Sequence, residues 1–146
     1  MKPRAPSLKL FSKAPRHYPE AALQKAVVQW LRIAGVPGMF FIHPANEGRR
    51  TPRTGAFLKS LGMRPGAADL IIIMPGGKAH CLELKAKNGK LSQDQIVFSA
   101  DCAIAGVPYK VADDIDDAIA ILREWKAIRA DMAGCWGRVT KRREAA

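Results

Sequence analysis

The sequence predicts an α/β fold: a mixed sheet flanked by helices. Three observations carry this. Short apolar runs alternate with stretches of helical periodicity, in the order helix, strand, short helix, strand, strand, helix, strand, helix. Two of the apolar runs, within Asp69 to Lys85 (DLIIIMPGGKAHCLELK), are joined by Pro75-Gly76-Gly77, a hairpin signal. The chain has 146 residues, 48% hydrophobic and 25% charged, which suits one domain with an ordinary core.

Residues 1–18 carry Lys2, Arg4, Lys9, Lys13 and Arg16 among three prolines, without an acid, and read as a basic flexible arm. The folded domain is placed at 19–133 and a second basic tail at 134–146. Pro19 to Ala34 forms the first helix, with proline in its first turn and Gly35 as its stop. Leu23, Val27, Trp30, Leu31 and Ala34 make its buried face. Glu20 and Gln24 lie one turn apart beside that face. Glu20 taken alone reads first as favourable first-turn charge near the helix dipole, ahead of any site role.

Met39 to His43 reads as a strand ended by Pro44. The following stretch, ANEGRRTPRTGAF, is an exposed basic loop whose Arg49, Arg50 and Arg53 suit phosphate oxygens. Phe57 to Leu61 forms a short helix closed by Gly62, and Arg64 to Ala68 leads into Asp69. Leu70 to Met74 is apolar on both faces, which places it centrally in the sheet. Ala79 to Ala86 is the next strand, followed by the basic turn Lys87 to Leu91. Ser92 begins a helix to about Ala105, with Ser92 and Gln95 in capping-box spacing. Ile96, Ala100, Ala103 and Ile104 are its expected apolar face. Val107 to Ala112 is a strand near an edge because of Pro108. Asp113 caps a last helix carrying Ile115, Ala118, Ile119, Leu122 and Trp125 or Lys126.

Twenty-four Lys and Arg against 13 Asp and Glu give a formal charge of +11, which favours a polyanionic partner, nucleic acid before others. The apolar runs are too short to span a bilayer and the N-terminus lacks a signal-peptide core, so the expectation is a cytoplasmic protein. Cys81, Cys102 and Cys135 fit no zinc or redox spacing and are expected as reduced thiols.

The hairpin carries charge where strands are apolar. Glu83 and Lys85 alternate onto one face, about 6.5 Å apart. Asp69 joins them only if Met74 and Lys78 flank a three-residue turn, or a bulge restores the parity. A four-residue turn would send Asp69 to the other face. With the right parity, Asp69 and Glu83 form a hard-oxygen site suited to Mg²⁺ or Mn²⁺, to which the Leu84 carbonyl could add a ligand. Lys85 beside it would orient the attacking water in phosphodiester hydrolysis. Glu20 would join the metal directly or through water. Gln95 would hold the lysine or the water, or serve only as a helix cap. His43 and His80 read as structural or surface groups.

E-x-x-x-Q (Glu20, Gln24), HPANEGRR, G-x-x-D-L (Gly66, Asp69), LELK and G-K-L-S-Q-D-Q together resemble the VRR-NUC family of the PD-(D/E)XK nuclease superfamily. The resemblance covers about residues 19–123. It implies an αβββαβ core and Mg²⁺- or Mn²⁺-dependent nuclease activity. It implies Glu20, Asp69 and Glu83 as metal ligands, Lys85 as the catalytic lysine and Gln95 as the glutamine of the following helix. Stand-alone members of the phage and bacterial type are homodimeric enzymes acting on branched DNA such as Holliday junctions. One departure is Ala68, which precedes Asp69 where the family's aspartate usually follows a proline. The expected function is thus a structure-selective DNA endonuclease. Arg49, Arg50, Arg53, Arg64 and Lys87 are its expected nucleic-acid contacts. The alternative is a non-catalytic basic nucleic-acid-binding module.

Overall fold

A computed structural model describes residues 20–44 and 51–130, so both basic termini, Pro19, Arg49, Arg50 and Cys135 lie outside the described residues. The elements follow the expected order: α1 (Glu20–Ala34), β1 (Phe40–Ile42), α2 (Pro52–Ser60), β2 (Leu70–Ile73), β3 (Ala79–Leu84), α3 (Gln93–Ile104), β4 (Tyr109–Ala112) and α4 (Ile115–Glu124). The strands form one sheet in the order β1-β2-β3-β4. β1–β2 and β2–β3 pair antiparallel, and β3–β4 pair parallel across α3. The sheet is therefore mixed, with β2 and β3 central and β4 at an edge.

One face of the sheet presents Phe41, Leu70, Ile72, Leu82, Leu84 and Ala112 to α1 and α4. The buried residues of α1 are Leu23, Val27, Trp30, Leu31 and Ala34, the stripe its periodicity predicts. α4 buries Ala118, Ile119, Ile121 and Leu122, with Ile115 and Trp125 packed against the same core. Asp114, not Asp113, caps this helix: its carboxylate accepts from the Asp117 N–H. The structural choice between adjacent acids falls on the one whose side chain reaches the third residue onward.

Two further expectations are corrected. α2 begins at Pro52, five residues before the expected start at Phe57, so Arg53 lies in its first turn and not in a loop. Thr51 caps it by accepting from the Thr54 N–H, and Pro52 occupies a position that needs no donor. α3 turns the opposite side to the sheet. Ile96 and Ile104 are exposed, and the helix buries Cys102 with Phe98 partly covered beside it. Gln95, Phe98, Ser99 and Cys102 recur at helical spacing. Polar groups at two of these positions break the apolar pattern, so hydrophobicity alone selects the wrong stripe.

Candidate active site

The hairpin register fixes the site. The Met74 N–H donates to the Lys78 carbonyl at 2.9 Å, closing a three-residue turn of Pro75, Gly76 and Gly77. Gly76 and Gly77 have φ of 92° and 88°, which side-chain-bearing residues rarely adopt. Leu70 pairs with Leu82 and Ile71 with Cys81. One more step places Asp69 opposite Glu83, on the face away from α1 and α4. The Leu84 N–H donates to Asp69 Oδ2 at 2.8 Å, so the peptide beside one acid holds the other.

Glu83 is 1% exposed. Its Oε1 accepts from Gln95 Nε2 at 2.5 Å and lies 3.2 Å from Lys85 Nζ. Its Oε2 is buried without a hydrogen-bond partner. Burial pushes the Glu83 carboxyl up to about 7, and the Asp69 charge adds to this against the pull of Lys85. Gln95 also closes the capping box, since its Oε1 accepts from the Ser92 N–H at 2.8 Å. The cap and site readings of Gln95 are thus not exclusive: one amide end completes the helix and the other meets Glu83.

Glu20 reaches the same end of β3 from α1. Its Oε1 accepts from the Ala86 N–H at 3.2 Å. Among the described residues, no three His, Cys, Asp or Glu side chains group closely enough to hold one metal ion. The donor set shared on one face is Asp69 with Glu83. It fits a hard divalent cation on its own chemistry: two adjacent carboxylates repel, and one buried oxygen lacks a partner.

Three residues that sequence reasoning gave no site role also meet here. His43 Nδ1 lies 2.7 Å from the Asp69 carbonyl oxygen and 2.9 Å from Gln24 Nε2, linking α1, the end of β1 and the start of β2. The Tyr109 hydroxyl is buried without a hydrogen-bond partner. Tyr109 pairs with Cys81 in the parallel register and so faces the Glu83 side. Burial pushes its ionisation up, with the Glu83 charge the next cause. Gly66 has φ of 72°, and a Cβ there would fall 2.3 Å from the Asp94 carbonyl carbon. The loop before Asp69 thus rests on the backbone at the start of α3, beside Gln95. Gly66 stands in the G-x-x-D motif, and His43 sits at a strand end ahead of a proline. Those were the available signals; nothing local marks Tyr109.

The other candidates are dispersed. Arg64 pairs with Asp101, and its guanidinium lies 5.6 Å from the centre of the Phe98 ring. Arg53 is exposed on α2 and Lys87 is exposed in the turn after β3. Cys81 and Cys102 are free, buried, and 3.9 Å apart at sulfur. His80 points to the opposite face from Glu83. It lies against Trp125 with ring centres 4.9 Å apart, and burial lowers its pKa.

An α/β domain with two acids, a lysine and a glutamine gathered at one end of a central hairpin is the class of protein defined so far. Two solved structures share its architecture. A structure described as a VRR_NUC domain is 20% identical, with a TM-score of 0.50, covering 71% of this chain and 94% of its own. A VRR_NUC domain protein is 23% identical, with a TM-score of 0.57, covering 72% and 85%. The fold of this chain is that of the VRR_NUC domain. No protein-family model matches the chain, and no curated protein does.

Proposed function

We propose that the chain is a Mg²⁺- or Mn²⁺-dependent endonuclease that hydrolyses phosphodiester bonds in DNA and selects its substrate by structure. Holliday junctions are among the branched forms it would cut, and it would act as a homodimer. The observation that carries the reading is Glu83: a buried carboxylate with one oxygen unpartnered, beside Asp69 and within 3.2 Å of Lys85. A structural acid would have both oxygens satisfied. The VRR_NUC fold and the +11 charge support the same reading.

Asp69 and Glu83 would hold the cation, with Glu20 joining through water from its place at Ala86. When bound, a divalent cation polarises the scissile phosphate and makes water acidic enough to supply hydroxide. The remaining work falls to the chain itself. The Leu84 N–H keeps Asp69 aimed at the shared face. Gln95 fixes the Glu83 rotamer. Lys85 orients the attacking water and offsets charge gathering on the phosphorane-like transition state. The basic surface holds the polyanion, and a twofold pair of sites would cut two strands symmetrically. The side of α3 turned from the sheet, with Ile96 and Val97 exposed and Ile104 86% exposed, supports such a pair.

The second reading, a non-catalytic nucleic-acid-binding module, draws on the lack of a three-ligand group among the described residues. One assay separates them. Labelled duplex, flap, single-stranded and four-way-junction DNA are incubated with and without Mn²⁺. The wild-type chain should cut at least one form only with the metal. Lys85→Ala should lose about a hundredfold or more in rate while still binding. Equal cutting by both proteins would sink the mechanism, and binding without cutting by both would leave the module.

A further inference from the structure

We propose that α2 is a stacking surface for the unpaired nucleobases of a DNA substrate; this rests on the nuclease reading above. No residue of α2 is buried, although the helix carries Phe57 and Leu58 and ends on Leu61. Phe57 is 60% exposed and Leu61 68% exposed. The Leu61 N–H still bonds to the Phe57 carbonyl, so the two side chains sit one turn apart on the same side. A nine-residue helix gains little from propensity alone, so an apolar side left in water asks for an occupant.

Charge selects the occupant. Residues 51–63 hold Arg53 and Lys59 and no Asp or Glu, and Arg64 just beyond is answered by Asp101. A twofold pairing of α2 with a second copy would set these cations against themselves with no acid in the stretch to answer them. A nucleic-acid strand supplies both complements: phosphates for the cations, and flat apolar base faces for Phe57 and Leu61. A fully paired duplex keeps its base faces stacked inside, so the surface fits strands with unpaired bases, as at forks, flaps and branch points.

The test uses the full chain with oligonucleotides carrying 2-aminopurine at an unpaired branch nucleotide, alongside a paired duplex of equal length. The wild-type chain should change the 2-aminopurine emission of the fork. Phe57→Ala should abolish that change and weaken fork binding about tenfold, in the range of one lost stacking contact, with less than a twofold effect on duplex. Phe57→Trp should restore both. Equal loss on fork and duplex, or no loss on either, overturns the proposal. So does a Phe57→Ala variant whose light-scattering mass drops to that of a monomer, which would make α2 an interface between copies. So does an acidic protein that competes for the surface while DNA emission is unchanged. The two readings fail separately. Phe57-dependent emission without metal-dependent cutting removes the nuclease and keeps the stacking surface. Metal-dependent cutting by a chain whose fork emission and binding are indifferent to Phe57 removes the stacking surface and keeps the nuclease.

Discussion

On one face of the sheet, Leu70, Ile72, Leu82 and Leu84 meet α1 and α4 through aliphatic side chains that are essentially fully buried. On the other lie Asp69, Cys81, Glu83 and Tyr109, and α3 meets the last three through Cys102, Gln95 and Phe98. The same strand, β3, serves both, with successive residues belonging to opposite regimes. The first face follows the rule for stability, in which apolar area leaves water; its buried ring, His80, also has an unpartnered nitrogen, but burial favours its neutral form, so no charge is stranded there. The second keeps a carboxylate oxygen and a phenol hydroxyl buried without partners. The difference teaches that the α1–α4 side supplies the free energy that lets the α3 side remain strained in charge.

Substitutions across that divide should have opposite signs. Leu82→Ala, on the first face, should cost about 2–5 kcal/mol, read as a lower midpoint in urea with an unchanged slope. A cost below about 1 kcal/mol would show that this face is not where stability resides. Glu83→Gln, one residue away, should stabilise the protein in chelator by about 1–3 kcal/mol while abolishing metal-dependent cutting. The pH dependence follows from the raised carboxyl. The folded state prefers neutral Glu83, so its penalty is absent below pH 4.5, grows as pH rises, and is complete above about 7. Comparing wild type with Glu83→Gln across that window, in chelator, should show the gap open toward neutral pH and narrow when Mn²⁺ is added. A gap that widens toward acid would refute it.

Smaller effects sharpen how the second face is assembled. Gly66→Ala should cost about 1–3 kcal/mol from its positive φ and from the pressure on Asp94. It should also slow cutting by displacing Gln95 from Glu83, with DNA affinity unchanged. An equal loss of affinity and rate would mean that the loop binds substrate instead. Ile104→Asp should alter folding by less than about 0.5 kcal/mol, since the side chain is exposed. In sedimentation it should convert the expected dimer to a monomer; an unchanged mass would remove α3 as the interface.

Much of the first face was legible in the sequence because its signals are local. The α1 stripe and Gly35 stop, and the α4 stripe, need only helical spacing. The hairpin parity was legible because Pro75-Gly76-Gly77 restricts the turn to a few forms. α3 packs through the side that carries Gln95 and Ser99, so burial there follows the site, and hydrophobic spacing points to the wrong stripe. α2 starts ahead of its apolar residues because a Thr-Pro pair, which resembles loop chemistry, becomes a helix cap once Thr51 accepts from the Thr54 N–H. The places of His43 and Tyr109 are not legible in sequence because their neighbours, Asp69 and Cys81, lie 26 and 28 residues away and are brought near only by strand pairing.

The bond from the Leu84 N–H to Asp69 Oδ2 makes one backbone proton a witness to the whole site. Its exchange with deuterium requires the hairpin to part where the two acids meet. Its amide resonance should move when Asp69 gains a proton or a cation. A single ¹⁵N label at Leu84 would therefore follow metal loading, strand opening and substrate arrival through one signal, with no substitution in the chain.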